Sequence, residues 1–475
     1  MLLQHNLYFW RGRQTMRLKF LDRDDEKKRI SRVLSNKEGT FCCLYGRRRC
    51  GKSRLLLETL PPQKAVYFVG DERESTLQRD ALASAVSVVI SGFDQVTYPD
   101  WSSLLARWWR DAPPGSVLAL DEFPYLAKSS PELPSLLQKL IDQNRFRRVH
   151  LILSGSSQQM MQGLVLDASA PLYGRAEEII QVKPLGPTWI QQAFGVSNPL
   201  ELLEIYSLWG GVPRYWELAL DYPTIREAME QLILDPMGVL HAEPRRLLLD
   251  DLRETAQAAS VLSLIGQGCN RISEIAARLG KPTTSLTRPL ARLLDLGLVR
   301  REQPFGVPQR SGKKTLYKID DPFLAFWFRF VEPNRSRLEA GMLKLVVRDT
   351  EGHVQQYHGE VWEELVRRSV ARLEIDGIEW GPGQRWWGAG SDKKPMEIDV
   401  ISESVDRSAL LVGEAKLSLG RQSLEQAVGE LERNSQSLPM ANSYKRIVYK
   451  IFLVESRTPR SRSVVSGKDV FRVLS

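Results

Sequence analysis

Gly46-Arg47-Arg48-Arg49-Cys50-Gly51-Lys52-Ser53 follows directly on the apolar run Phe41 to Tyr45. The run reads as a buried strand, and the octapeptide as a phosphate-binding loop that opens a helix. In such a loop the backbone N–H groups face the α and β phosphates, so Gly46, Arg47, Arg48, Arg49, Cys50 and Gly51 act through their main chain. Lys52 reaches the β and γ phosphates, and the Ser53 hydroxyl ligates Mg²⁺. ATP and Mg²⁺ are therefore the expected cofactors. A basic surface turn, the alternative, needs no strand before it.

Hydrolysis requires a second, acidic strand to handle the metal and the water. Val117 to Phe123, reading Val-Leu-Ala-Leu-Asp-Glu-Phe, supplies one. Its apolar run suits a strand buried on both faces, and its end delivers Asp121 to the Mg²⁺ shell and Glu122 to a position for polarising the attacking water. The next strand candidate, Val149 to Leu153, ends in Ser154-Gly155-Ser156-Ser157, which sets small hydroxyls, Ser156 among them, where a γ-phosphate sensor belongs. Arg175, in Leu172-Tyr173-Gly174-Arg175, reads either as a stabiliser of charge on the transferred phosphate or as a surface arginine beside a turn. In the first role it acts within the chain or across the subunit boundary of a homo-oligomer.

These segments, with Phe20-Leu21-Asp22-Arg23, Pro171-Leu172-Tyr173-Gly174-Arg175 and Gly210-Gly211-Val212-Pro213-Arg214-Tyr215, resemble the archaeal-type ATPases of the STAND/AAA+ P-loop superfamily. The resemblance implies an α/β, doubly wound P-loop core over 17–199, a helical lid over 200–250 and a winged helix-turn-helix over 251–335. It also implies an ATP-driven switch. Cys50 stands where that family usually has a small aliphatic residue, and adds an oxidisable thiol beside the nucleotide.

Ile272, Ile275, Ala276 and Leu279 recur at helical spacing, Gly280-Lys281-Pro282 breaks the helix, and Leu286, Leu290, Leu293 and Leu294 form the stripe of a second one. This is a helix-turn-helix pattern whose outer face carries Lys281, Thr284, Thr287 and Arg288. Leu298–Arg301 and 306–318, with Arg310, Lys313 and Lys314, would form a basic wing. DNA is one expected partner of this module; packing against neighbouring domains is the other reading.

Beyond Glu332-Pro333-Asn334 the chain has a separate logic. A helix through Val361 and Leu365 precedes a Trp-rich stretch and two strands, 397–401 and 410–417. Asp399 lies in the first strand; Glu414 and Lys416, two apart in the second, share a face. Carboxylates that hold Mg²⁺ or Mn²⁺, with an ammonium beside them, suit metal-dependent phosphodiester cleavage. The arrangement resembles the PD-(D/E)XK nuclease core over 345–475, a restriction-endonuclease-like α/β domain, with Ile398 in place of the motif's proline. By the same resemblance Glu363, in Gly359-Glu360-Val361-Trp362-Glu363, is a third metal-site carboxylate. Ordinary salt-bridge pairing on a strand is the alternative, and with it a regulatory or scaffolding ATPase whose later domains bind partners without cutting.

The 475-residue chain is 43% hydrophobic with a net charge of +9, which suits several cores and an anionic partner. No window approaches the roughly 18 apolar residues of a membrane span, and residues 1–16 lack a secretory signal's apolar core and read as a loose tail. The four cysteines show no metal spacing, and reduced thiols in a cytoplasmic protein are expected.

Overall fold

The computed structural model describes residues 18–251, 255–308, 314–455 and 461–474. They form two compact units, the first holding the chain up to Pro184 and the second most of the chain from Leu185 onward. In the first unit, strands β1 (Phe41–Tyr45), β2 (Ala65–Val69), β3 (Ser116–Asp121), β4 (Val149–Gly155) and β5 (Glu178–Gln181) make a parallel sheet in the order β2-β3-β4-β1-β5. Alternation along the strands divides their apolar residues between two cores. Phe41, Cys43, Leu118, Leu120, Leu151 and Leu153 face a layer containing Trp101, Trp108 and Leu137. Cys42, Leu44, Val117, Ala119 and Ile152 face Ile30, Leu55 and Leu56. Burial on both faces explains why these strands read as unbroken apolar runs rather than alternating ones.

The order places β4 between the loop-bearing β1 and the acidic β3. Three carboxyl-terminal strand ends, each carrying polar groups, thus stand side by side at one edge of the sheet, where open α/β sheets bind ligands. An α/β P-loop core with a parallel sheet is what the sequence led us to expect.

The second unit contains a five-stranded mixed sheet of β8 (Gln384–Ala389), β9 (Pro395–Glu403), β10 (Ala409–Lys416), β11 (Arg446–Leu453) and β12 (Val464–Ser466), in the order β12-β11-β10-β9-β8. β8, β9 and β10 pair antiparallel, whereas β10, β11 and β12 run parallel. The helix Leu424–Ser435 connects β10 to β11 and buries Ala427 and Leu431 against Leu410, Val412 and Ile451. The helix Leu343–Ser369 packs on β9 and β10, and its fully buried Trp362 donates from Nε1 to the Phe452 carbonyl at 3.1 Å. It begins well before Val361, where the sequence pattern placed it, and stops short of Leu373.

Three helices, Thr255–Gly266, Ile272–Leu279 and Thr284–Asp295, lead into an antiparallel hairpin of β6 (Val299–Glu302) and β7 (Leu316–Ile319). Leu286, Leu290 and Leu293 are buried, as the stripe predicted. Pro199–Trp209, expected in a lid, clusters with the second unit: it packs on Pro322–Phe326 and Leu343–Ser369, and Tyr357 donates to the Ser207 carbonyl at 3.0 Å. Among the described residues no helix is long and apolar enough to cross a membrane.

Cys42, Cys43 and Cys50 are buried, and burial pushes the Cys43 thiol up to about 12. Cys269, in the turn after Thr255–Gly266, is partly exposed. His150 of β4 is fully buried with Nδ1 2.6 Å from the Thr40 hydroxyl, and burial, with Arg148 nearby, pushes it down to about 4. The unfolded chain binds this proton below about pH 6.5 while the folded chain does not. Stability should therefore fall as pH drops from about 6.5 towards 4, and His150→Gln should flatten that slope in urea titrations followed by fluorescence.

Candidate functional site

Gly51 caps the helix Lys52–Thr59 in the left-handed region at φ 91°, and this turn aims the helix's free N–H groups back into the loop. A Cβ placed on Gly51 would meet nothing within 4 Å, so it is the left-handed backbone and not space that calls for glycine there. At Gly46 the constraint is different. Its φ is +146°, and a Cβ there would lie 2.3 Å from the Val182 carbonyl oxygen, so only glycine lets the loop cross the continuation of β5. Lys52 is 4% exposed and its ammonium donates to the carbonyls of Gly46 and Arg47 at 2.8 and 3.1 Å. Arg47 is nearly buried, Arg48 exposed, and Arg49 adopts φ 68°.

Asp121, 1% exposed at the end of β3, gathers the site. Its Oδ2 accepts from the Ser53 hydroxyl at 2.5 Å and from the Tyr67 hydroxyl at 2.7 Å, and its Oδ1 from the Glu122 N–H at 3.0 Å. Burial and the Asp121 charge push the Tyr67 phenol far above its ordinary value, so it stays a donor. Glu122 follows in the left-handed region at φ 49°. Its carboxylate accepts from the Ser156 N–H at 3.2 Å and, through a short bond, from the Ser156 hydroxyl. Base and sensor candidates are thus in contact.

A buried ammonium bonded to its own loop, with a hydroxyl and a carboxylate in contact beside it, fits a magnesium nucleotide: Ser53 and Asp121 would hold the metal, Lys52 and the loop the phosphates. Two further residues support them: Tyr67, which the sequence pattern did not single out, and Arg23, which entered only within the opening Phe20-Leu21-Asp22-Arg23. Tyr67 shows itself only as a hydroxyl in an apolar strand. Arg23, 5% exposed, donates to the Cys50 carbonyl at 3.2 Å and to the Lys183 carbonyl at 2.5 Å, fastening the loop from behind. Arg175 instead forks onto Asp142, from Nε at 3.0 Å and Nη2 at 3.0 Å, and clamps its own turn to the helix Leu133–Gln143.

In the second unit the paired register of β9 and β10 ends at Val400 and Gly413, one residue short of Asp399 and Glu414. The Asp399 carboxylate accepts from the Ala415 N–H at 3.1 Å, and Lys416 pairs with Glu414 at 2.9 Å, so both residues of the Glu-x-Lys segment share a face. Asp399 is held above its ordinary range by burial and then by Glu414; Glu363 is raised by burial and then by Asp399. Asp399 thus lies within electrostatic reach of Glu414 and Glu363, and a divalent cation would relieve that excess charge. Among the described residues, however, no three His, Cys, Asp or Glu side chains are gathered closely enough to hold a metal ion. Glu364, next to Glu363, behaves oppositely. Burial opposes its ionisation, but Arg300, Arg368 and Arg367 hold it down to about 2.

Lys281, Thr284, Thr287 and Arg288 are all exposed, as the helical phase predicted. Arg310 and Lys313 of the expected wing lie outside the described residues, and Lys314 is exposed at φ 64°.

Residues 20–218 match the model of an ATPase domain found predominantly in Archaea. The match covers less than half of the chain and likens this span to archaeal-type ATPase domains. Residues 327–427 match a family of archaeal and bacterial proteins of unknown function. An uncharacterized protein of Methanocaldococcus jannaschii is 29% identical over 400 residues, spanning 83% of this chain and 86% of its own. The Walker-type ATPase of Pyrococcus abyssi shares the fold at a TM-score of 0.51 and 22% identity, over 65% of this chain and 96% of its own. The ORC2 protein of Aeropyrum pernix, at 16% identity, covers 68% of this chain and 96% of its own with a TM-score of 0.42.

Within the ATPase domain, Tyr67→Phe removes one hydrogen bond to a charged acceptor and should weaken Mg-ATP binding by about tenfold. Isothermal titration with and without Mg²⁺ checks this, the loss being confined to the Mg²⁺ arm. Lys52→Ala should abolish tight binding in both arms.

Proposed function

We propose that this chain is an ATP-hydrolysing switch whose nucleotide state governs a DNA-directed carboxyl-terminal module that cleaves phosphodiesters with a divalent metal. The observation that carries the reading is the placement of Asp399, whose carboxylate accepts from the Ala415 N–H, beside Glu414 and Lys416, which pair at 2.9 Å on one face of β10. Strand, turn, strand and crossover helix build a mixed sheet whose central edge bears two carboxylates and an ammonium, in the manner of PD-(D/E)XK nucleases. Mg²⁺ or Mn²⁺ bound there would supply a lowered water pKa and a counter-charge for the phosphate. Asp399 and Glu414 would hold it, Glu363 would add charge, and Lys416 would meet the phosphate oxygens.

On the ATPase side, Glu122 would accept the proton of the attacking water, Ser156 would report the γ-phosphate, and Asp121 and Ser53 would hold Mg²⁺. The Glu122–Ser156 contact supports a base that is restrained until a phosphate competes for Ser156. Arg175 would act on phosphate only after leaving Asp142, within the chain or across a homo-oligomer's boundary.

The winged-helix reading of 255–319 rests on three helices and a hairpin in the required order, and the exposed Lys281, Thr284, Thr287 and Arg288 support DNA contact by the third helix. One observation favours the second reading, in which the hairpin is a packing element. Arg300 and Lys318, basic residues on its strands, pair with Glu302 at 3.2 and 3.5 Å instead of facing solvent.

Incubating the full chain with DNA and RNA, Mg²⁺ or Mn²⁺, and with or without ATP tests the proposal. Metal-dependent cleavage lost in Asp399→Asn and altered by ATP is expected; no cleavage under any arm favours partner binding. Glu122→Gln should keep ATP bound while slowing turnover by about a hundredfold or more, checked by phosphate release. Joint replacement of Lys281 and Arg288 by alanine should lower the slope of log affinity against log salt by up to about two phosphate contacts' worth; an unchanged slope returns the module to the packing role.

A further inference from the structure

We propose that Arg367 is a positioning residue of the Asp399 site and ties the geometry of that site to the β6–β7 hairpin. The inference rests on the carboxylate reading above. Arg367 sits in the last turn of Leu343–Ser369 and is only 6% exposed. A guanidinium is rarely taken out of water unless its donors are consumed, and here they are divided between three elements. Nη1 donates to the main-chain carbonyl of Asp399 at 3.0 Å and lies 3.4 Å from Glu363. Nη2 donates to Glu364 at 3.2 Å and faces Glu302 of β6 at 3.8 Å. One planar fork thus touches the backbone that carries Asp399, the neighbouring site carboxylate and the hairpin.

The contact to Asp399 has a geometric consequence. Beyond Val400 the ladder between β9 and β10 gives way to the side-chain bond from Ala415 to Asp399. At that point the direction of the Asp399 side chain depends on what holds its peptide. Arg367 holds the carbonyl, and the Ala415 N–H the carboxylate.

The hairpin end of the fork is charged and itself shared. Glu302 also meets Arg300, Lys318 and Arg385 at 3.2, 3.5 and 4.0 Å, and Arg300 reaches Glu364 at 3.1 Å. These pairs border a cavity of about 630 Å³ whose wall includes Arg300, Lys318, Glu363, Glu364 and Arg385. A hairpin displaced towards or away from this space redistributes the partners of Arg367. The change is then felt at the Asp399 carbonyl.

The test is Mn²⁺ binding to the nucleotide-free full chain, by calorimetry and by the electron paramagnetic resonance line shape of the bound ion. Arg367→Gln should weaken Mn²⁺ binding by about tenfold or more, the range found when groups behind metal ligands are removed. Arg367→Lys keeps the charge but loses the fork, and should weaken it in the same direction with a broadened spectrum. Glu302→Gln, one contact further out on the hairpin, should give a smaller loss of about threefold, below the range for groups that touch a ligand directly. ATP affinity should be unaltered in all three. If Arg367→Gln fails to fold, Arg367→Lys decides; if both fail, Glu302→Gln does. Wild-type affinity and line shape in the deciding Arg367 variant, with Mn²⁺ lost in Asp399→Asn, overturns the role of Arg367 alone, and the same result in Glu302→Gln overturns the tie to the hairpin. Wild-type Mn²⁺ binding in Asp399→Asn overturns the carboxylate site and the inference together.

Discussion

A single buried carboxylate organises the ATPase domain. Asp121 accepts one bond from the helix after the phosphate loop and one from β2, while its own strand supplies the next residue, Glu122, to Ser156 beyond β4. Such a carboxylate is costly to bury unless its lone pairs are met. The arrangement meets them with groups from separate elements, so the loop after β1, the end of β3 and the residues after β4 are held in one geometry. Preorganisation of this kind is what makes positioning effective in phosphoryl transfer, where there is little covalent chemistry for the protein to do.

The second unit relies on a different economy. Its sheet is antiparallel on one side of β10 and parallel on the other, so β10 is buried over most of its length and releases polar side chains only at its end. Glu414 and Lys416 emerge there beside Asp399. The hairpin and the helix Leu343–Ser369 surround this edge with arginines and glutamates in alternation. Breaking one partner of a half-buried pair leaves the other uncompensated, which makes the cluster a set of mutually dependent positions rather than a sum of independent bonds.

Much of this is legible in the sequence, and the reason is local. The strands β1, β3 and β4 are mostly apolar because both of their faces are covered, and the phosphate loop is a contiguous motif. The two-residue period of a strand is enough to put Glu414 with Lys416. What escapes depends on distance in the sequence. Tyr67 meets Asp121, and Arg23 meets Cys50, through tertiary structure alone. β8 hides among tryptophans because Gln384 to Ala389 shows no clean alternation. Arg300 and Lys318 fall in the segments that read as a basic wing, and their pairing with Glu302 does not show in the sequence, since short charged strands look exposed until the neighbour that covers them is known. Arg175 has the right residue type beside the right turn, but Asp142, which claims its guanidinium, carries no signal in the sequence.

The distribution of the four thiols has a practical consequence. Cys42, Cys43 and Cys50 are shut inside the ATPase domain, the first two with burial holding them far from the reactive thiolate form. Cys269 alone is partly open to solvent, at the turn that introduces the helix-turn-helix segment. A maleimide dye added to the unaltered folded chain would therefore attach beside that segment. The natural sequence already contains a nearly site-specific handle for following it by fluorescence while the nucleotide is changed elsewhere.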